Sequence, residues 1–165
     1  MKFMRATLVF LVGAALAPFA SAAEIGQFND WTAHSVDSGQ GKSCYLVSIP
    51  TQKQPSNVSR DDVFFYVTIW AGQTDVVEPS VVTGYPYQPG STTTISVGES
   101  TFSLFTKGDS AWIADRAVER QLIDAMKAGA TMIVKGTSRR GTVTTDSYSL
   151  SGVTAGIGAI TKACS

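Results

Sequence analysis

Val63-Phe64-Phe65-Tyr66-Val67-Thr68-Ile69-Trp70 decides the fold. Its β-branched and aromatic side chains favour extended backbone. Alternation sends Val63, Phe65, Val67 and Ile69 to one face and Phe64, Tyr66 and Trp70 to the other. Apolar on both faces, the segment reads as a central strand covered on both sides.

Working outward, residues 43–49 read as a second strand, and 52–62, rich in Pro, Ser, Asn and charge, as a surface loop between the two. Downstream, Gly84-Tyr85-Pro86-Tyr87-Gln88-Pro89-Gly90 is a stiff connecting loop, because its prolines remove donors and hold the residues before them extended. Three short β-prone pieces follow at 93–97, 101–106 and 110–113, with Gly98-Glu99 and Lys107-Gly108-Asp109 as turns. Residues 115–128 form the clearest helix: Asp115 is the N-cap, Val118, Leu122, Ala125 and Met126 make one stripe, and Gly129 is the stop. Segments 130–138 and 142–150 are a hairpin around Arg139-Arg140-Gly141. The tail, 151–164, spaces Val153, Ile157 and Ile160 helically but carries Gly152, Gly156 and Gly158, each costing about 1 kcal/mol relative to Ala. It is expected to be a weak helix. The expected fold is mainly β, a small immunoglobulin-like β-sandwich with one clear helix at about 115–128 and a weak C-terminal one; a closed small barrel is the alternative.

The N-terminal residues read differently. Lys2 and Arg5 precede the run 6–20, apolar apart from Thr7, and Ala20-Ser21-Ala22 is a small-x-small cleavage site. Residues 1–22 are expected to be a secretory signal cut between Ala22 and Ala23, leaving 23–165 as a single domain with no transmembrane segment. The apolar run falls short of the roughly 20 residues a spanning helix needs. Without Lys2 and Arg5 the chain carries 11 basic against 13 acidic residues. Nothing in that balance suggests nucleic acid, which requires a basic stripe. Export also bears on Cys44 and Cys164, the two cysteines of the chain: outside the reducing cytoplasm they are expected to pair, and closing a loop of ~100 residues contributes ~4 to 5 kcal/mol in the chain-entropy picture.

Few residues of the chain are equipped for catalysis. His34 is the single histidine, so a nucleophilic triad would have to be built on it, yet there is no Gly-x-Ser-x-Gly elbow and no cysteine free to act. The same scarcity leaves zinc or copper without a ligand set. Asp61-Asp62, Asp109, Asp115 and Asp146 match no calcium-loop spacing; Asp61-Asp62 read as solvated ends of a surface loop and Asp115 as a helix cap. No catalytic, metal or cofactor site is expected. For partner binding the candidates are Arg139 and Arg140, which could hold a carboxylate, phosphate or glycan, and the aromatics Tyr85, Tyr87 and Trp112, which could serve as anchors or simply close the end of a sandwich.

Ser110-Ala111-Trp112, Ala125-Met126-Lys127-Ala128-Gly129, the run Lys135-Gly136-Thr137-Ser138-Arg139-Arg140-Gly141-Thr142, Tyr148-Ser149-Leu150-Ser151-Gly152 and the terminal Ala163-Cys164 together resemble the invasion-associated locus B family of exported bacterial proteins. Trp31 and Cys44 fit the same pattern. The resemblance implies an immunoglobulin-like sandwich in the periplasm or at the outer membrane, a role associated in pathogens with entry into host cells, and no catalytic residues. Many members carry a further cysteine pair in mid-domain, which this chain lacks. Two functions follow as expectations: a non-enzymatic envelope module binding a protein or glycan, on a host cell or in the outer membrane, or a periplasmic protein that maintains the envelope without a host.

Overall fold

The computed structural model describes residues 22–39, 41–73 and 75–165; the proposed signal lies outside them, apart from Ala22. Eleven strands and two helices follow in chain order: β1 Ala22–Phe28, β2 Trp31–Ser38, β3 Gly41–Ser48, β4 Gln52–Gln54, β5 Phe64–Trp70, β6 Glu78–Val82, β7 Thr92–Val97, β8 Ser100–Lys107, β9 Ser110–Trp112, α1 Arg116–Ala128, β10 Thr131–Thr137, β11 Val143–Ser149 and α2 Val153–Cys164. The strands hydrogen-bond in the order β1-β2-β3-β5-β6-β9-β8-β7-β10-β11-β4, all antiparallel.

This sheet folds back on itself. The Trp31 indole N–H of β2 donates to the Ser149 carbonyl of β11 at 3.0 Å, and the Phe65 ring of β5 meets Tyr148 of β11 edge-on, centroids 5.9 Å apart. Strands β2, β3 and β5 therefore face β10 and β11 across one core, the sandwich-like arrangement expected from the strand count. Phe65, Val67, Ile69, Leu46, Ile95, Leu104, Met132 and Val134 fill it.

The helices close what the strands leave open. In α1, the Asp115 carboxylate accepts from the backbone N–H groups of Ala117 and Val118; Leu122 and Met126 of the expected stripe are buried, Val118 and Ala125 half-buried, and Ile123 and Glu119, outside the stripe, are buried as well. The tail is a full helix of 12 residues where a weak one was expected. Two of its glycines explain the difference. Gly152 starts α2 at φ 94, left-handed backbone that side chains disfavour, and a Cβ on Gly156 would collide with the methyl groups of Leu46 in β3. The lost helix propensity is exchanged for close packing of α2 on the inner face of β2 and β3. Cys44 of β3 and Cys164 of α2, with Cα atoms 6.0 Å apart, form the expected disulfide and fasten the helix end.

The segment 63–70 departs from expectation on one face. β5 is central, between β3 and β6, but covered on one side only. Phe65, Val67 and Ile69 point into the core, whereas Phe64 and Tyr66 are half-buried and Trp70 is 37% exposed. The apolar outward set lies on an open face. The supposed loop 52–62 also does more than connect. Gln52–Gln54 pairs with β11 as an edge strand, and Arg60 forms a buried two-pronged ion pair with Asp146 of β11.

Candidate binding face

Two places deserve comparison as sites, and the sequence candidates divide between them. The first is the corner where the loop after β6 meets the β10–β11 turn. Gln88 N–H donates to the Thr137 carbonyl at 2.9 Å, Arg139 N–H to the Pro86 carbonyl at 2.8 Å, and Tyr87 bridges to Ser138. The loop is thereby fixed as an added strand along the hairpin. Gly136 makes the fit possible: a Cβ there would sit 2.7 Å from the Tyr87 ring and 3.0 Å from the Tyr85 hydroxyl. The structure thus brings Arg139, Arg140 and Tyr85 together around an open cavity of ≈ 220 Å³.

Their exposures differ. Arg139 and Arg140 are exposed at the turn, whereas Tyr85 and Tyr87 are 8% and 4% exposed. Tyr85 shares a hydrogen bond of 2.6 Å with Thr144, and its ring lies 6.0 Å from the Arg60 guanidinium. Burial pushes the Tyr87 hydroxyl up to about 12, and the Tyr148 hydroxyl well above its ordinary value. The Asp146 carboxylate holds Arg60 more firmly protonated. Such a corner is built as a structural joint, with the arginines as its accessible part.

The second place is the outward face of β2, β3, β5, β6, β9 and β8. Cross-strand register puts Thr32 opposite Val47, Val47 opposite Tyr66, Tyr66 opposite Ser80, Ser80 opposite Trp112 and Trp112 opposite Phe105. Side chains on neighbouring strands in register share a face, so these residues form one row across six strands, roughly 24 Å at a strand spacing of ~4.8 Å. His34 and Tyr45 run beside it, stacked with centroids 5.1 Å apart, and Tyr45 meets Tyr66 edge-on at 5.8 Å. Phe64 lies 5.7 Å from Tyr66, and Phe105 stacks on Trp112 at 5.8 Å. Phe105 is 48% exposed. His34, the single histidine, stacks on Tyr45 beside the row.

At the β1 and β3 end, the row opens into a cavity of ≈ 430 Å³ whose wall includes Gln27, Asn29, Asp30, Thr32, Thr51 and Phe64. Its size falls within the ~300–1,000 Å³ usual for small-ligand sites. Thr32 and Val47 belong to both the cavity and the row, so the two are continuous. Among the outward positions of β2, β3, β5, β6 and β9, Glu78 is the one carboxylate, and burial raises its pKa. Trp112, singled out in sequence, belongs to this face and not to the tyrosine corner. The rest of the row escapes sequence reading, because it exists only through the order β3-β5-β6-β9-β8.

The sequence matches the family described as invasion associated locus B (IalB) protein over residues 31–161. The chain belongs to the invasion associated locus B family. The match takes in every strand of the row and most of α2. A solved relative in fold, the invasion associated protein b from Bartonella henselae, superposes with a TM-score of 0.61 over 84% of this chain and 95% of that one, at 14% sequence identity. At that identity the likeness concerns the fold alone. No curated protein sequence matches the chain. Members of the invasion associated locus B family are exported, and no helix among the described residues is long and apolar enough to cross a membrane.

Proposed function

We propose that this invasion associated locus B chain is a non-catalytic binding module of the bacterial envelope, exported as residues 23–165 and acting through the outward aromatic face. The observation that carries the reading is the row from Thr32 to Phe105: six strands place apolar and hydroxyl side chains in register on one outward face, with the core and α2 on the opposite side of β2 and β3. Folding gains little from leaving aromatic rings partly in water, and such patches mark contact surfaces. A signal cut after Ala22 fits this reading, since Ala23 would begin the chain within β1, already paired to β2 through Ser35. Arg139 and Arg140 offer a separate, charged contact at the far corner.

Envelope retention tests the proposal. The wild-type chain is expected to sediment with envelope fragments, and Trp112→Ala combined with Phe105→Ala to shift it into the soluble fraction with its melting temperature preserved. Equal retention of the double variant would remove the face from the function. Protease shaving of intact cells then separates the two biological settings. Release of peptides from 23–165 supports host attachment or entry, and protection until the outer membrane is permeabilised supports envelope maintenance.

A further inference from the structure

We infer that the outward face and its end cavity bind a chain of N-acetylated hexosamines, the glycan strand of the bacterium's own cell wall, whose lactyl carboxyls are amide-linked to the stem peptides and so carry no charge along the strand. The inference rests on the proposed function and names the ligand of that face. Three features of the site select this chemistry.

Charge comes first. No member of the row bears a formal charge, and the charged groups that border it are mostly acidic: Glu24 beside His34, Glu78 beside Thr68 and Asp30 in the cavity, against Lys107 at the opposite end. A polyanion such as nucleic acid, a phosphorylated lipid headgroup or a sialylated host glycan would be repelled there. A hexosamine strand whose lactyl carboxyls are amide-linked meets no such penalty.

The second feature is that rings and hydroxyls share the row. Along the row Tyr66, Trp112 and Phe105 supply ring surface, while Thr32 and Ser80 supply hydroxyls. Pyranoses likewise present both apolar C–H faces and equatorial hydroxyls, and a row of roughly 24 Å across strands ~4.8 Å apart accommodates a short oligosaccharide. A protein strand seeks backbone partners at a sheet edge instead, and the strands of this row are already paired on both sides.

The cavity completes the fit. Gln27 and Asn29 bring amide groups and Thr32 and Thr51 hydroxyls, while Val47, Ile49 and Phe64 form an apolar wall. That combination suits an acetamido group, whose amide needs a donor and an acceptor and whose methyl needs apolar contact. The Asn29 amide N–H donates to the Ser151 hydroxyl at 2.9 Å, which leaves its carbonyl oxygen as an acceptor.

Binding of chitohexaose to residues 23–165 by titration calorimetry, together with co-sedimentation on purified peptidoglycan sacculi, tests the inference. The wild type is expected to bind both. Trp112→Ala and Gln27→Ala, one at each end of the site, should each weaken chitohexaose binding about tenfold or more with melting temperatures unchanged. Glucose-based cellohexaose should bind more weakly than chitohexaose by a similar factor. Absence of wild-type binding to chitohexaose and sacculi, or affinity untouched by both substitutions, overturns the glycan assignment. If envelope retention still depends on Trp112 and Phe105 in that case, the face binds another partner and only the ligand is wrong. Concentration-dependent self-association abolished by Trp112→Ala would likewise replace the glycan with a second copy of the chain.

Discussion

Phe65 and Tyr66 are neighbours on β5 that face opposite environments. The Phe65 ring is fully buried, edge-on to Trp31 at 6.0 Å and to Tyr148 at 5.9 Å, and so joins both layers of the sandwich. Tyr66 points outward among Tyr45 and Phe64, with no second layer above it. One strand therefore supports the fold with its odd-numbered side chains and turns its even-numbered ones to the outward face proposed for binding. Hydrophobicity alone does not distinguish the two sets. Whether another element covers them does.

The sharpest way to break that contrast is to truncate both. Phe65→Ala empties the junction of the two layers and is expected to cost about 3–5 kcal/mol, whereas Tyr66→Ser loses cross-strand ring contacts worth about 1 kcal/mol. Chemical denaturation of the two variants measures the gap. Equal losses would mean that the outward face is as structural as the core.

Removing the staple with Cys44→Ala and Cys164→Ala comes next, at about 2–5 kcal/mol. Both cysteines are buried, and the bond secures α2 to β3 on the inner side. The expected loss falls on stability, with the affinity of the outward face for chitohexaose retained once the variant is folded.

Alkali discriminates between the two sides by another route. The buried Tyr87 hydroxyl titrates at about 12 against about 10 in an unfolded chain. A pKa raised by folding means that the neutral form is favoured inside: the stabilisation is whole below pH ~10 and disappears as pH rises towards ~12, a loss of about 3 kcal/mol from this residue. Tyr85 and Tyr148 shift the same way and steepen the fall. Denaturation midpoints followed through that interval should drop sharply for the wild type and less for Tyr87→Phe.

The helix α2 bears on what was legible in the sequence. Its glycines read as weaknesses because propensity is local, while the Leu46 methyls that require Gly156 come from β3, 110 residues earlier in the chain. Gly156→Ala should therefore destabilise by about 1–3 kcal/mol through overpacking, although Gly158→Ala, with open space around it, should stabilise by up to ~1 kcal/mol. The same distinction runs through the molecule. α1 was readable from Asp115, its stripe and Gly129, and the β10–β11 hairpin from its turn, because each is decided by contiguous residues. The Arg60–Asp146 pair, 86 residues apart, and the aromatic row, drawn from six strands whose spatial order departs from chain order, depend on topology that one sequence does not display. Alternation on β5 identified Phe64, Tyr66 and Trp70 as a set; nothing local revealed that the set was uncovered.

Phe105 supplies the smallest effect on stability and the cleanest separation of the two faces. Its ring is 48% exposed and stacks on Trp112 alone among the described rings, while the inward neighbours Phe102 and Leu104 hold β8 to the core. Surface changes of this kind stay within about 0.5 kcal/mol. Phe105→Ser should therefore melt like the wild type yet lose envelope retention in part, because Trp112 would remain without its stacking partner. If the variant loses stability in proportion to Phe102→Ser, β8 is held from both sides, and the outward row is a second core layer whose cover the isolated chain lacks.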